Sequence, residues 1–279
     1  MKPGIFAKTF AGSTPAMVLS AAARCGYGSV QYNMACSGVG ALPETVSADV
    51  ASEVLAASIA TGVEIAAISA TYNMIHPDFE KRMSGRRSFA AIAQSASSMG
   101  SQVLTVCSGS CDAQDQWRHH PENQSPAAWR EMLAEFEALV AIAETHNVFI
   151  GVEPELANVV DSAAKARTLI DTLDSQRIRV VLDPANLFEI ATPETSRDII
   201  AQAIDLLSDR IVMAHAKDRN IDGSFATAGK GVVDFDHFVH CLHRNGFNGS
   251  LVTHGLAEAE ASGVAVFLSN TIARQAKRL

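Results

Sequence analysis

Short apolar runs alternate with longer amphipathic stretches from one end of the chain to the other. The apolar runs are rich in β-branched residues and predict strands over Gly4–Phe10, Ser29–Asn33, Val63–Ala70, Gln102–Cys107, Val148–Glu153, Ile178–Asp183, Arg210–His215 and Gly249–Thr253. The intervening stretches repeat their apolar positions at helical spacing. They predict helices over Pro15–Cys25, Asp49–Ala60, Phe79–Met99, Ala127–His146, Asp161–Leu173, Thr195–Leu207, Phe235–Asn245 and Glu258–Lys277. Several helices run into a glycine turn before the next strand, as at Arg24-Cys25-Gly26, Thr61-Gly62-Val63, Met99-Gly100-Ser101 and Asn245-Gly246-Phe247, which fits left-handed helix caps. Eight such units imply parallel strands joined by right-handed crossovers. The expected fold is α/β, a single (β/α)8 TIM barrel occupying residues 1–279 as one domain. A doubly wound open sheet is the alternative, but no GxGxxG or GxxxxGK[ST] follows any strand, and eight is the number that closes a barrel.

Composition narrows the class. At 48 % hydrophobic and 19 % charged residues the chain can bury a large core, which excludes a disordered protein. A net charge of −8 argues against nucleic acid as a partner, because phosphate backbones call for a basic face. The five cysteines, Cys25, Cys36, Cys107, Cys111 and Cys241, show no CxxC pair and give no sign of a disulfide framework or zinc site. No apolar run reaches the about 18 residues of a membrane span, and the opening MKPGIFAKTF lacks a long apolar h-region. A cytoplasmic protein with no membrane partner is expected.

Catalytic groups of parallel barrels project from the C-terminal strand ends, and four consecutive predicted strands end in residues able to bind metal or move protons. The fifth reads Phe149-Ile150-Gly151-Val152-Glu153-Pro154-Glu155. Proline cannot continue a ladder, so Glu153 stands at its last ordered position, and Glu155 shares its face if the strand persists. The sixth, Val180-Val181-Leu182-Asp183-Pro184-Ala185-Asn186, ends in the same way. Burying Asp183 there is costly without a cation or donor beside it. The seventh, Met213-Ala214-His215-Ala216-Lys217-Asp218, puts His215 and Lys217 on one face, and the eighth ends in Thr253-His254-Gly255. Glu153, Asp183, His215 and His254 thus make two carboxylates and two imidazoles at neighbouring strand mouths. This mixed set suits Mn²⁺, Co²⁺, Zn²⁺ or Fe²⁺ better than Ca²⁺.

The run GVEPE, VVLDPAN, AHAKD, GKGVVDF and LVTHGL, in that order, resembles the sugar isomerase/epimerase superfamily with the xylose-isomerase-like barrel. The segments ISATYNMIHPD and GSQVLTVCSGSCD resemble its third and fourth strands, so the likeness covers nearly the whole chain. It implies one divalent metal (Mn²⁺ first, with Co²⁺, Zn²⁺, Fe²⁺ or Mg²⁺ as alternatives) held by Glu, Asp, His and Glu on strands five to eight. In the family's epimerases the two glutamates serve as opposing bases. Glu153, Asp183 and His215 match; strand eight departs, with His254 in place of Glu, either as a neutral imidazole ligand or as the second acid/base. The implied reaction begins with a carbonyl polarised by the metal. Glu153, or Glu155 where Glu153 is engaged, removes the adjacent proton to form an enediolate.

Return of the proton to the neighbouring carbon isomerises the substrate, return from the other face epimerises it, and loss of a β-hydroxyl dehydrates it. The expected activity is therefore that of an isomerase or epimerase acting on a sugar, sugar phosphate or keto-polyol, with Glu153, His254 and Lys217 as the catalytic set. A lyase acting on a keto-inositol or dehydroshikimate-like substrate is the first alternative. A non-catalytic sugar-binding barrel is the second, favoured only by the strand-eight departure. An abasic-site endonuclease shares the fold but needs a histidine where Asn186 stands.

Substrate contacts are expected from Glu155, Asn186, Asn73, His76 and Arg87. The last suits a phosphate through its planar fork, with a solvated helix start as the competing reading. The polar segment Ser108–Pro126 is expected as a loop or lid over the active face. His237, His240 and His243 are expected on an outer helix away from the site. A homo-dimer or tetramer is a further expectation.

Overall fold

The computed structural model describes residues 1–277. Eight parallel strands close a barrel: β1 (Lys2–Phe6), β2 (Ser29–Tyr32), β3 (Glu64–Ser69), β4 (Val103–Val106), β5 (Phe149–Val152), β6 (Ile178–Leu182), β7 (Ile211–Ala216) and β10 (Ser250–Thr253), the last pairing with β1. Between β7 and β10 lies a small antiparallel pair, β8 (Asp218–Arg219) and β9 (Phe225–Ala226). The outer layer holds α1 (Pro15–Cys25), α2 (Ala48–Thr61), α3 (Phe79–Ala96), α4 (Pro126–His146), α5 (Ala163–Leu173), α6 (Pro193–Leu207), α7 (Phe235–Arg244) and α8 (Ala261–Ala276). The (β/α)8 barrel read from the sequence is the fold observed.

Element ends shift where local hydrogen bonding decides them. The first strand begins at Lys2 because Lys2–Ile5 pair with Ser250–Thr253, and it stops at Phe6, where a 3-10 turn over Ala7–Thr9 takes over. Helices start where a side chain accepts a free amide: Ser162 takes Lys165 N, so α5 starts two residues later than its apolar period suggests, and Thr192 takes Thr195 N ahead of Pro193. The predicted C-cap glycines Gly26 and Gly62 adopt φ of 95° and 68°, a region costly for any side chain. The segment after β4 is a loop containing one 3-10 turn, Pro121–Gln124. It is fastened to the β5 loop by buried amides, since Asn123 donates to Ala157 O and accepts from Cys111 N, and Asn158 accepts from Gly109 N. No helix among the described residues is long and apolar enough to cross a membrane.

The barrel interior decides where the polar strand ends point. Ala67, Val103, Val181, Met213 and Val252 pack together as a cluster of their own, apart from the layer between sheet and helices. Gly151 belongs at the same level, because a Cβ there would lie 2.9 Å from a Val181 methyl. Strand side chains alternate, so the residues two further along also face the axis, one layer closer to the C-terminal mouth. Those residues are Ser69, Thr105, Glu153, Asp183, His215 and His254.

Candidate metal centre

One ligand atom each from Glu153, Asp183, His215 and His254 can be chosen such that all four lie within 4.8 Å of one another. Each is held by local chemistry. The backbone N–H of Glu153 donates to Val106 O, prolonging the β4–β5 register by one residue, and its Oε1 accepts from Asn186 Nδ2 at 2.8 Å. Asp183 begins the 3-10 turn Pro184–Asn186, where its Oδ1 accepts from Ala185 N at 2.9 Å, leaving Oδ2 to face the axis. His215 Nδ1 approaches Glu153 Oε1 at 3.2 Å and Asp183 Oδ2 at 3.6 Å, while Nε2 sits 2.7 Å from Gln31 Oε1. His254 packs edge-on against His215, with ring centroids 4.6 Å apart.

Two atoms of this group are out of balance. Asp183 Oδ2 and His254 Nε2 face each other at 3.4 Å, are buried, and have no hydrogen-bond partner. Orphaned buried polar atoms are costly, and a carboxylate oxygen with an imidazole nitrogen converging on one point is a donor set that a divalent transition ion satisfies. The four residues therefore fit a metal ion.

The charges fit as well. Burial raises the Asp183 carboxyl, but Lys217, 3.5 Å away, and the two imidazoles outweigh it and hold the group well below the usual range. Burial alone would lower His215, yet Glu153 and Asp183 bring it up to about 9. His254 moves the other way, lowered by burial and by the neighbouring His215. Lys217 is buried and is held above its ordinary value by Asp183 and Glu153 despite desolvation, so it stays an ammonium. Burial and the charge of Glu153 push Glu155 up to about 7. β5 ends before Glu155, whose N–H turns to Val160 O, yet the side chain remains within the field of Glu153, Lys217 and Asp183.

Asn186 is fully buried and links Glu153 to Lys217, donating to Glu153 and accepting from Lys217 Nζ at 3.3 Å. The three candidates from the third βα unit make other contacts. Asn73 pairs with the backbone of Ser110, tying the β3 loop to the β4 loop. His76 is engaged by Ala113 O and Asp78 N, and Arg87 makes a bidentate pair with Glu44 on the outer surface. None of these hydrogen bonds reaches the four-residue group. His237 lies on α7 against Cys241 and Arg197 O, in the outer helical layer.

Two residues escaped the sequence reading. Gln31 contacts His215, and its only sequence signal is an amide inside a wholly buried strand, SVQY. Arg219, on the β8–β9 pair, donates from Nε to Ala185 O and from Nη1 to Gly223 O, both at 2.5 Å. The neighbouring Asp218 is completely buried and accepts from the N–H groups of Arg219, Gly229, Gly231 and Val233. This draws the Gly229–Gly231 loop in beside the site.

Residues 19–266 match the family model described as xylose isomerase-like TIM barrel. Curated proteins give no sequence match. Among solved structures the chain is similar to the 3-keto-D-glucoside 4-epimerase of E. coli (TM-score 0.75, 18 % identity, 99 % of each chain covered). It is also similar to an L-ribulose 3-epimerase (TM-score 0.79, 14 % identity, 99 % of this chain and 96 % of that one). A third likeness is to the IolI protein with a bound zinc atom (TM-score 0.75, 16 % identity, 99 % of each chain).

Proposed function

The chain belongs to the xylose isomerase-like TIM barrel family, and from that premise we propose that it is a divalent-metal-dependent isomerase or epimerase of a small sugar, sugar phosphate or keto-polyol. The observation that carries this reading is the convergence of Glu153, Asp183, His215 and His254 with two orphaned buried donor atoms between them. Sugar epimerases among the similar folds, and the zinc atom bound by the IolI protein, support it.

Glu153, Asp183, His215 and His254 would hold the ion, with Mn²⁺ the first candidate. When bound, a divalent ion supplies Lewis acidity that polarises a carbonyl and acidifies the adjacent C–H. Glu153 is already engaged by Asn186 and His215, so the adjacent proton falls to Glu155, whose pKa near 7 suits both taking and returning it. Lys217 remains charged beside Asp183 and stabilises negative charge developing on the substrate as an enediolate. His254 contributes a neutral imidazole where the family's epimerases carry a second glutamate. The same protonated Glu155 could deliver a proton to a departing β-hydroxyl, and that observation keeps a dehydratase as the second reading.

The test is metal content by ICP-MS on wild type, Asp183→Ala and His215→Ala, followed by NMR of ketoses and inososes in D2O. About one transition ion per chain, lost in both variants, with exchange of the proton next to the carbonyl, is the expected result. A product lighter by one water would select the dehydratase. No metal in wild type after incubation with Mn²⁺, Co²⁺ and Zn²⁺ would end the metalloenzyme reading.

A further inference from the structure

Arg219 is only 6 % exposed, and among the described residues no carboxylate forms an ion pair with it. Its guanidinium donates to two carbonyl oxygens, which orient it without neutralising it. Arg86 provides the contrast within the same molecule. It meets buried Glu135 directly and its pKa rises, whereas burial pulls that of Arg219 down and the more distant Glu155 and Asp183 only partly oppose the change.

Lys217 stands beside Arg219. The Phe225 ring lies 4.1 Å from its ammonium and 4.2 Å from the Arg219 guanidinium, measured to the centroid. An aromatic ring attracts cations through its quadrupole yet adds no negative charge. Around the centre, the carboxylates of Glu153, Glu155 and Asp183 act on the two fixed cations from a distance or through Lys217, and the buried Asp218 carboxylate next to them is taken up by four backbone N–H groups. A glutamate at strand eight would add a further negative charge; this chain has His254 there. A buried guanidinium that no carboxylate pairs with is costly unless a counter-ion arrives with the ligand.

We propose that Arg219 and Lys217 form an oxyanion subsite beside the metal centre, so that the substrate of this chain carries a carboxylate or a phosphate group. The inference builds on the isomerase reading for the word substrate, but the subsite itself stands on Arg219, Lys217 and Phe225. The scaffold suits the task, since the β8–β9 pair is fixed by the four amides on Asp218 and by the Arg219 bonds to the β6 loop and to Gly223. The planar guanidinium fork matches either oxyanion.

The test uses three ligands that differ only at C6: D-fructose, D-fructuronate and D-fructose 6-phosphate. Their binding is measured by calorimetry on metal-loaded wild type, Arg219→Gln and Arg219→Lys, with metal content verified in each. One or both anionic ketoses should bind wild type roughly tenfold or more tightly than fructose, and the favoured one tells carboxylate from phosphate. The preference should collapse in Arg219→Gln and survive in part in Arg219→Lys. Should Arg219→Gln fail to fold, the wild-type comparison and Arg219→Lys still decide. Equal affinity for the three ligands, no binding of any, or a preference untouched in Arg219→Gln overturns the proposal and leaves Arg219 as a pin for the hairpin. A preference that persists in metal-free protein and depends on Arg219 supports the subsite even if the metal reading fails.

Discussion

Gln31 Oε1 stands 2.7 Å from Nε2 of His215, and the Gln31 amide nitrogen is itself fixed by Thr105 Oγ1 at 3.0 Å. An acceptor at that position requires the proton on Nε2 and leaves the Nδ1 lone pair facing Glu153 and Asp183, the state a metal ligand needs. Gln31→Leu removes the acceptor and buries an unpaired N–H. Metal affinity is expected to fall on the order of 10- to 100-fold, read by competition with a fluorescent chelator, while Gln31→Glu should retain binding. Unchanged affinity in Gln31→Leu would remove Gln31 from the centre.

The pH dependence of the metal-free protein follows from His215. Its folded pKa of about 9 lies above the ordinary 6.5, because Glu153 and Asp183 outweigh the effect of burial. A raised pKa means that the folded state holds the proton more tightly. The stabilisation is therefore complete below pH 6.5 and is lost as pH climbs through 9. The Tm of EDTA-treated protein should decline across that window, and His215→Gln should flatten the decline. Metal has to displace the same proton, so affinity should rise about tenfold per pH unit up to the His215 pKa. An affinity independent of pH would show that His215 is not a ligand.

The barrel and the four converging side chains were legible because each lies one strand period beyond an interior apolar or glycine position: Gly151 before Glu153, Val181 before Asp183, Met213 before His215, Val252 before His254. Proline after both carboxylates marked where the strands stop. Gln31 was not legible, since its value depends on β2 and β7 facing each other across the axis, which no local pattern encodes. The surroundings of Arg87 were not legible either. It lies in the middle of α3 and pairs outward with Glu44, while Arg86 next to it meets the buried Glu135. The two-residue strands β8 and β9 are too short for any periodicity, so Arg219 could not be placed.

Asp218 is expected to behave as a structural anchor. Its carboxylate is fully buried and accepts from four backbone N–H groups at 2.8–3.1 Å. Asp218→Ala strands those donors and should cost about 3 kcal/mol in urea unfolding, since each buried unpaired group costs roughly 1–3 kcal/mol and the loop can relax toward water. Gly231→Ala should loosen the same loop, because a Cβ there would fall 2.1 Å from Arg219 O. Both variants should keep their metal while losing the proposed preference for anionic ketoses. A loss of metal in either would tie this loop to the centre more directly than the contacts do.

His254 decides how far this barrel departs from the two-glutamate arrangement that the sequence resemblance implies. Its pKa is lowered by burial and by the neighbouring His215, so the ring is neutral at pH 7, and its Nε2 is buried without a hydrogen bond. A neutral imidazole with an unused nitrogen 3.4 Å from the unused oxygen of Asp183 is a ligand before it is an acid. Removing one of four donors in His254→Ala should weaken metal binding by on the order of 3 kcal/mol, about a hundredfold. His254→Glu restores a donor and a negative charge, so it should bind metal at least as well as wild type while weakening the attraction for an anionic ligand. If His254→Ala instead keeps full metal content and loses only turnover, the residue acts on protons and the ion is held by Glu153, Asp183 and His215 alone. ICP-MS after dialysis against graded chelator separates the two outcomes without any knowledge of the substrate.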